Sequence, residues 1–400
     1  MRFHYNQIAP IHETLVKIFY DQQKDHMAVA YMLEHNKKWG SNDRKTASKC
    51  VYDLVRYWRR YWYSIDQMPS ASLDEYPKLI ALWLSLQSDD EIKIPEITPA
   101  EIILWKERYA QVEELAIQES LSDELNHLAI QELGAAKWKE ELHALNEEAS
   151  FILRINTSKA KIDRVAASLM QEGIETVRID EVPTALKVLK RVNIQKSPTY
   201  SQGVFEIQDA SSQMIVPMLD IQNDTVVIDA CAGAGGKTMQ IADSLRNTGR
   251  VIAMDVEANK LKELKRRAER NKFTKIDTVQ IQNDKSILAY SEKADRLLLD
   301  VPCTGIGVLK RNADDKYKIN SVRLQEVLSK QEHILQVYPA MLKRGGILVY
   351  ATCSIFPSEN EKQIKRFLEK NAQFTLLEER TIYPSASGFD GFYAAKLQKK

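Results

Sequence analysis

From residue 201 onward, apolar runs of strand length alternate with helical stretches, and most of the runs end on aspartate. They read TVVID at 225–229, RVIAMD at 250–255, DTVQIQND at 277–284 and DRLLLD at 295–300, followed by GGILVYA at 345–351. Between them lie EANKLKELKRRAERN (257–271) and SVRLQEVLSKQEHILQVYPAML (321–342). Antiparallel hairpins need no helix between strands, whereas parallel neighbours need a crossover, so this alternation predicts a mainly parallel, doubly wound α/β sheet covered on both faces. In such a sheet ligands sit beyond the carboxyl ends of the strands. Asp229, Asp255, Asp284 and Asp300 would then line one rim, four carboxylates in register where a single one would mean little.

The first strand runs into DACAGAGGKT at 229–238. A phosphate-binding Walker loop needs glycine where Cys231 stands, and the dinucleotide pattern starting at Gly233 ends on Thr238, so neither motif is met. What remains is a glycine turn after a strand. Asp255, at the end of the next strand, has the position from which a carboxylate accepts both hydroxyls of a ribose, which implies a nucleoside-containing cofactor. The same rim carries DVPCTGIG (300–307) and YATCSIFPSEN (350–360), each with a cysteine just past a strand end.

The rest of the chain has a different texture. With 400 residues and 44% hydrophobic content, two or three domains are expected. Residues 1–150 carry 17 Lys and Arg against 25 Asp and Glu, and the remainder 39 against 30, so the +1 net charge hides a basic C-terminal part suited to a polyanion. Residues 1–148 read as a helical domain, with Thr98-Pro-Ala-Glu101 as a capping box. In DRKTASKCVYDLVRYWRRYWYSID, Val51, Leu54, Val55, Trp58, Trp62 and Ile65 form one apolar stripe, with Arg56, Arg59, Arg60 and Tyr63 on what reads as a solvated face. Residues 149–200 read as a small α/β subdomain: strand FILRINT, helix KAKIDRVAASLMQEG, strand IETVRID. No apolar run approaches a membrane span, and MRFHYNQIAPIHE lacks a signal-peptide core, so a soluble, cytoplasmic protein is expected. Cys50, Cys231, Cys303 and Cys353 show no Cys-x-x-Cys spacing, which argues against a disulfide framework and against a metal site. Cys50 and Cys231 read as packing residues.

These motifs together resemble the Sun (Fmu) family of RNA cytosine-5 methyltransferases, which use S-adenosylmethionine. The resemblance rests on GVFEIQDASSQ (203–213), DACAGAGGKT, AMDVEANKLKELKRRAERN, the Asn-Asp at 283–284, DVPCTGIGVLKRN and ATCSIFPSENE, in the family's order, and covers roughly residues 120–400. GAGGK replaces the commoner Ala-Pro-Gly-Gly-Lys, and DVPCTG replaces Asp-Ala-Pro-Cys-Ser-Gly; the glycines, the Asp and the Cys are kept. The closing GFDGFYAAKL is similar to the family's ending, where a reversed hairpin completes the sheet. The resemblance implies a Rossmann-like methyltransferase domain at 201–400, an RNA-recognition-like subdomain at 149–200 and, more weakly, a NusB-type RNA-binding domain in the N-terminal helices, for which protein interaction is the other role.

Carbon 5 of cytosine is a poor nucleophile until a thiolate adds at carbon 6, and the adduct must later lose its carbon 5 proton and expel the thiolate. Two thiols suit those two tasks. DNA cytosine methyltransferases use a Pro-Cys motif for attack, so the residues alone leave the choice open. A helix beginning near Pro357-Ser358 would favour thiolate at Cys353. The resemblance assigns attack to Cys353 and product release to Cys303. It implies that Asp300 contacts the target base and borders the cofactor, that Asp255 binds ribose and Asp284 the adenine amine, and that Cys231, Ala232, Gly233, Ala234, Gly235, Gly236 and Lys237 form the loop facing the methionine end. Lys237 alternatively orients the substrate or Asp300. Lys310, Arg311 and Asn312 are placed to hold RNA backbone, against a plain solvated loop. KLKELKRRAERN reads mostly as solvated surface.

The expected activity is methylation of 16S-type ribosomal RNA by a monomer that needs neither metal nor membrane. The alternatives are a tRNA cytosine-5 methyltransferase, an amino-group methyltransferase, disfavoured because DVPCTG lacks the aromatic after a Pro-Pro pair, and a non-catalytic RNA-binding assembly factor, disfavoured by retention of both rim cysteines and Asp300. A nicotinamide dehydrogenase leaves the paired cysteines unexplained.

Overall fold

The computed structural model describes residues 3–88 and 94–400; Met1, Arg2 and residues 89–93, on which small parts of the N-terminal readings fall, lie outside the described residues. The chain forms two units, Met1–Asn146 with Leu309–Ser321, and Glu147–Val308 with Val322–Lys400.

The described secondary structure of residues 3–146 is helical, as the patterning predicts. The apolar stripe is spread over two helices, Ser41–Arg56 and Trp58–Ser64, because Tyr57 leaves helical geometry at φ −118° and ψ 30°. All six stripe residues are buried, as is Cys50. The arginines differ from the solvated reading. Arg56 donates to Asn146 O (3.2 Å) and Lys310 O (2.9 Å), Arg59 to Leu121 O (2.8 Å), and Arg60 to Tyr109 O (2.7 Å). They satisfy carbonyls at helix and turn ends, which a side-chain pattern cannot foresee. The capping box is present: Thr98 Oγ1 accepts from Glu101 N (3.3 Å) and Glu101 Oε2 accepts from Thr98 N (2.8 Å).

Leu309–Ser321 belongs to this helical unit although sequence order places it within 201–400. Ala313 joins the helical core and Tyr317 packs against it. Lys316, 1% exposed, donates to Arg56 O (2.6 Å), Glu119 O (3.0 Å) and Asn146 Oδ1 (2.6 Å). Three acceptors make the burial of this amine tolerable, and burial pushes its pKa well below the usual lysine value.

The second unit holds two sheets. The smaller contains β1 (Phe151–Ile155), β2 (Thr176–Arg178), β3 (Ala185–Val188) and β4 (Phe205–Ile207), in the order β2-β3-β1-β4 and antiparallel throughout. The pattern predicts two strands here and four are present. β4 corrects the boundary at residue 200: Phe205 pairs with Ile155 and is fully buried, so the subdomain runs to about residue 207.

The larger sheet contains β5 (Val226–Asp229), β6 (Arg250–Asp255), β7 (Ile276–Gln280), β8 (Ala294–Asp300), β9 (Leu342–Thr352), β10 (Phe374–Ile382) and β11 (Phe392–Lys399), in the order β10-β11-β9-β8-β5-β6-β7. The five from β7 to β9 are parallel, whereas β11 lies antiparallel between β9 and β10, the expected reversed hairpin. Separate buried cores cover the two faces, which is why the central strands read as continuous apolar runs. β5, β6 and β8 end on Asp229, Asp255 and Asp300 as predicted. β7 instead stops at Gln280, and Asp284 opens the helix Asp284–Leu288 with Asn283 capping it. The Asn side chain accepts from Lys285 N (3.0 Å), a local bond that outcompetes strand extension.

The two sheets are locked by charge. Glu206 of β4, 2% exposed, pairs with Arg267 (2.8 Å) and Arg270 of the helix Ala258–Arg270 and accepts from Asn271. Arg270 also stacks over Tyr200 at 4.0 Å. The outer charges of that helix are solvated as expected, but these two arginines are not.

Candidate active site

The glycine turn is shaped by two residues in left-handed geometry, Gly233 at φ +53° and Gly235 at φ +88°. A side chain at Gly235 would collide with Leu264, whereas above Gly233 and Gly236 a methyl group would meet only open space. The loop from Cys231 to Lys237 therefore packs on one side and leaves room on the other, as a backbone that cradles a ligand must. Arg267 braces it from behind by donating to Ala234 O (2.8 Å). Cys231 is half-buried against the core, as read from sequence.

Asp255 accepts Gly233 N on Oδ2 and Glu257 N on Oδ1, both at 2.8 Å. The two amides fix the carboxylate at the mouth of the turn and leave it lone pairs for paired hydroxyls. Asp284, half exposed, meets His333 Nε2 at 3.0 Å. His333 lies on the helix Ser321–Val337, and nothing in its sequence neighbourhood marks it as a partner.

Lys237, 8% exposed, donates to Asp300 Oδ2 at 2.7 Å, with its ammonium 4.8 Å from the centre of the Phe392 ring. The contact brings Lys237 to Asp300, one of the partners expected for it. Below them Asp229 accepts from Thr238 Oγ1 (2.6 Å), and burial, followed at some distance by the neighbouring Asp300 charge, raises its pKa to about 7.

Beyond β8 and β9 the cysteines come together, with Cys303 Sγ and Cys353 Sγ 3.3 Å apart. Contact with Cys353 comes first among the causes that push the Cys303 thiol well above its ordinary pKa; burial comes next. Two close approaches hold the loops. Gly307 N donates to Cys353 O (3.0 Å), and Gly391 N, in the loop before β11, donates to Gly307 O (2.7 Å). A side chain at Gly307 would fall inside the radius of Gly391 O, so the GFDG turn and the DVPCTGIG loop must meet backbone to backbone.

Two readings need correction. The helix after Cys353 is Glu361–Lys370 and begins eight residues beyond the thiol, so the predicted helix start at Pro357-Ser358 is a turn; Asn360, its N-cap, spends its side chain on Thr352 Oγ1 and Ser354 O instead of on the helix. Lys310 is 4% exposed in the helical unit, so its ammonium is not presented to solvent or to a phosphate. Arg311 is exposed and Asn312 half-buried, both in that unit. No helix among the described residues is long and apolar enough to cross a membrane, and no metal-holding group of His, Cys, Asp or Glu occurs among them.

Sequence reasoning does not single out Glu359. It is fully buried and contacts residues beside both cysteines. Its one sequence signal is its place in SENE after the cysteine of YATCSIFPSEN.

The chain is similar to known proteins in sequence and in fold. Residues 216–398 match the family model for 16S rRNA methyltransferase RsmB/F, and residues 127–195 match the ferredoxin-like domain of RsmF/B-like methyltransferases. Ribosomal RNA small subunit methyltransferase B of Pasteurella multocida is 35% identical over 277 residues, 66% of this chain; the chain spans 62% of that relative's length. A probable ribosomal RNA small subunit methyltransferase B of Synechocystis is 28% identical over 89% of this chain and 91% of its own. The crystal structure of a methyltransferase homologue from Pyrococcus horikoshii matches with TM-score 0.59 and 27% identity, covering 68% of this chain and 93% of that one. Two adjoining matches to one family, over the small sheet's subdomain and the large sheet, place this chain in the RsmB/F methyltransferase family.

Proposed function

We propose that this protein transfers a methyl group from S-adenosylmethionine to carbon 5 of a cytosine in 16S-type ribosomal RNA through a covalent cysteine adduct. The observation that carries the reading is the 3.3 Å contact between Cys303 and Cys353 at neighbouring strand ends, one strand from the glycine turn. The names of the relatives support RNA methylation, and the thiol pair supports carbon 5 as the position.

The residues fit the cofactor. The backbone of 231–237 would hold the methionine end, Asp255 the ribose and Asp284 the adenine amine, with Asp300 between cofactor and base. Bound there, the cofactor supplies an electrophilic methyl carbon that an activated carbon 5 takes up.

The chain's own residues do the activating. Cys353 as thiolate adds to carbon 6, moving the double-bond pair to carbon 5. Asp300, oriented by Lys237, meets N3 and the exocyclic amine and offsets the charge that builds on the ring. Cys303 then gives its proton to solvent, takes the proton from carbon 5, and the re-formed double bond expels Cys353. Arg311, exposed in the helical unit, is placed to meet RNA phosphate. The helices act as a NusB-like RNA-binding domain in a monomeric, cytoplasmic enzyme.

Single-turnover reaction with methyl-labelled cofactor on ribosomal and transfer RNA tests this. Label at carbon 5 of cytosine in ribosomal RNA is expected, with no turnover by Cys353→Ala and a trapped protein–RNA adduct with Cys303→Ala. Label on an amino group, label only in tRNA, or no label would each overturn part or all of the reading.

A further inference from the structure

Glu359 has no assigned role, yet its carboxylate is among the most completely used groups in the protein. It is fully buried, as are Ser354 and Asn360, and Thr304 is 1% exposed. Oε1 accepts from Thr304 N (2.8 Å) and Gln331 Nε2 (3.1 Å); Oε2 accepts from Thr304 Oγ1 (2.6 Å) and from the Ser354 hydroxyl. Two donors on each oxygen fill the acceptor sites of an ionised carboxylate, and a protonated one would have to give up a donor. Gln331 also donates to Pro302 O (3.0 Å), and Tyr350 donates to Glu359 O (2.7 Å).

The donors are not scattered. Thr304 follows Cys303 and Ser354 follows Cys353, while Gln331 also holds the carbonyl of Pro302, the residue before Cys303. One carboxylate thus grips both cysteine loops, 50 residues apart in sequence, at the position next to each thiol. Thr304 stands where the commoner family motif has serine and keeps the hydroxyl that the grip uses. A core built only for stability would do as well with apolar groups of the same volume, since a buried carboxylate recovers its desolvation only through such bonds.

We propose that Glu359 is a positioning residue that sets the separation of the two sulfurs and so couples thiol attack to product release. The inference rests on the adduct reading above. In the release step the carbon 5 proton passes to Cys303 thiolate, the C5–H electron pair becomes the C5–C6 double bond, and the C6–Sγ bond breaks with its pair returning to Cys353; no co-reactant is needed. If the Cys303 loop drifts, attack by Cys353 survives and proton removal slows.

The test uses Glu359→Gln, Thr304→Val and Thr304→Ser in the full chain. The amide introduced by Glu359→Gln cannot accept from four donors. Thr304→Val removes one hydroxyl without touching the carboxylate, and Thr304→Ser retains that hydroxyl. Steady-state reactions on ribosomal RNA, resolved under denaturing conditions, should show covalent complex rising about tenfold and kcat falling at least about tenfold in the first two variants, with KM for RNA falling in step so that kcat/KM stays within about twofold. Thr304→Ser should behave as wild type. A second readout needs no RNA: titration with a trivalent organic arsenical, which bridges two thiols, should give tight one-to-one capture by wild type and at least about tenfold weaker capture by Glu359→Gln and Thr304→Val. Arsenical capture unchanged in both variants would overturn the inference whatever the kinetics. If Cys303→Ala forms no adduct with RNA while the variants still lose arsenical capture, the adduct reading fails and the grip on the sulfurs stands. If Glu359→Gln does not fold, Thr304→Val alone decides, with wild-type capture and wild-type adduct level as the refuting result.

Discussion

Asp229→Asn should make the larger unit's stability less sensitive to pH, with a size that follows from the site. Asp229 is 1% exposed at the end of β5; Oδ2 accepts from Thr238 and Oδ1 is buried without a partner. Burial raises its pKa to about 7; the nearby Asp300 and Asp255 charges act in the same direction, and the Thr238 bond and Lys237 act against it. In an unfolded chain the same group titrates near ~3.9. Between those values the folded protein holds a proton that the unfolded chain has released, so stability falls as pH rises. The contribution is complete below pH ~4, declines by up to ~1.4 kcal/mol per pH unit, and is gone above the folded value, a total of about 4 kcal/mol. Asparagine cannot ionise and lacks this component. Relative to wild type, Asp229→Asn should gain roughly 2–3 kcal/mol between pH 5 and pH 8, whatever its constant offset from losing the acid.

Urea unfolding followed by hydrogen exchange in peptides from β5 and β8 reads that unit. Tryptophan fluorescence supplies the internal control, because all six tryptophans lie within Met1–Asn146. Their transition should show the same pH dependence in both proteins. A mutant-minus-wild-type difference that is flat from pH 5 to 8, or that moves toward destabilisation, would refute the assignment of a neutral buried acid beside the Lys237–Asp300 pair.

Two further outcomes are expected. Gly307→Ala must displace the backbone of the GFDG turn or of the Cys353 loop, so kcat on RNA should fall about a hundredfold with cofactor affinity kept, checked by rate assay and calorimetry; a wild-type rate would refute the close approach. Glu206→Ala strands Arg267 and Arg270 between the two sheets and should cost about 3–5 kcal/mol in urea unfolding of that unit, with weaker cofactor binding because Arg267 also braces Ala234; a change under about 1 kcal/mol would refute the charge lock.

Much of this protein is legible in local pattern. A buried parallel strand is an uninterrupted apolar run, so β5, β6, β8 and β9 announce themselves, with Asp229, Asp255 and Asp300 at their ends and both cysteines beyond them. The period of 3.6 places Val51 to Ile65 in a core, and Thr98 with Glu101 begins a helix, because capping involves only neighbours in sequence. Short segments are harder: β3 and β4, at four and three residues, are too brief for periodicity, and β7 ends early because Asn283 caps the next helix.

What the tertiary structure alone decided is which polar groups meet. The contact of Cys303 with Cys353, the hold of Lys237 on Asp300, the pairing of His333 with Asp284 and the grip of Glu359 on Thr304 and Ser354 include partners up to 63 residues apart. The arginines of the apolar-stripe helices, which bind carbonyls rather than water, reach as far as 254 positions, from Arg56 to Lys310, and Leu309–Ser321 leaves the DVPCTGIG segment to join the helical unit through Lys316. Hydrophobic period is a property of a few consecutive residues and survives any arrangement of the elements. The partner of a buried charge is chosen only after strands are in register and loops closed, when burial makes an unpaired group costly.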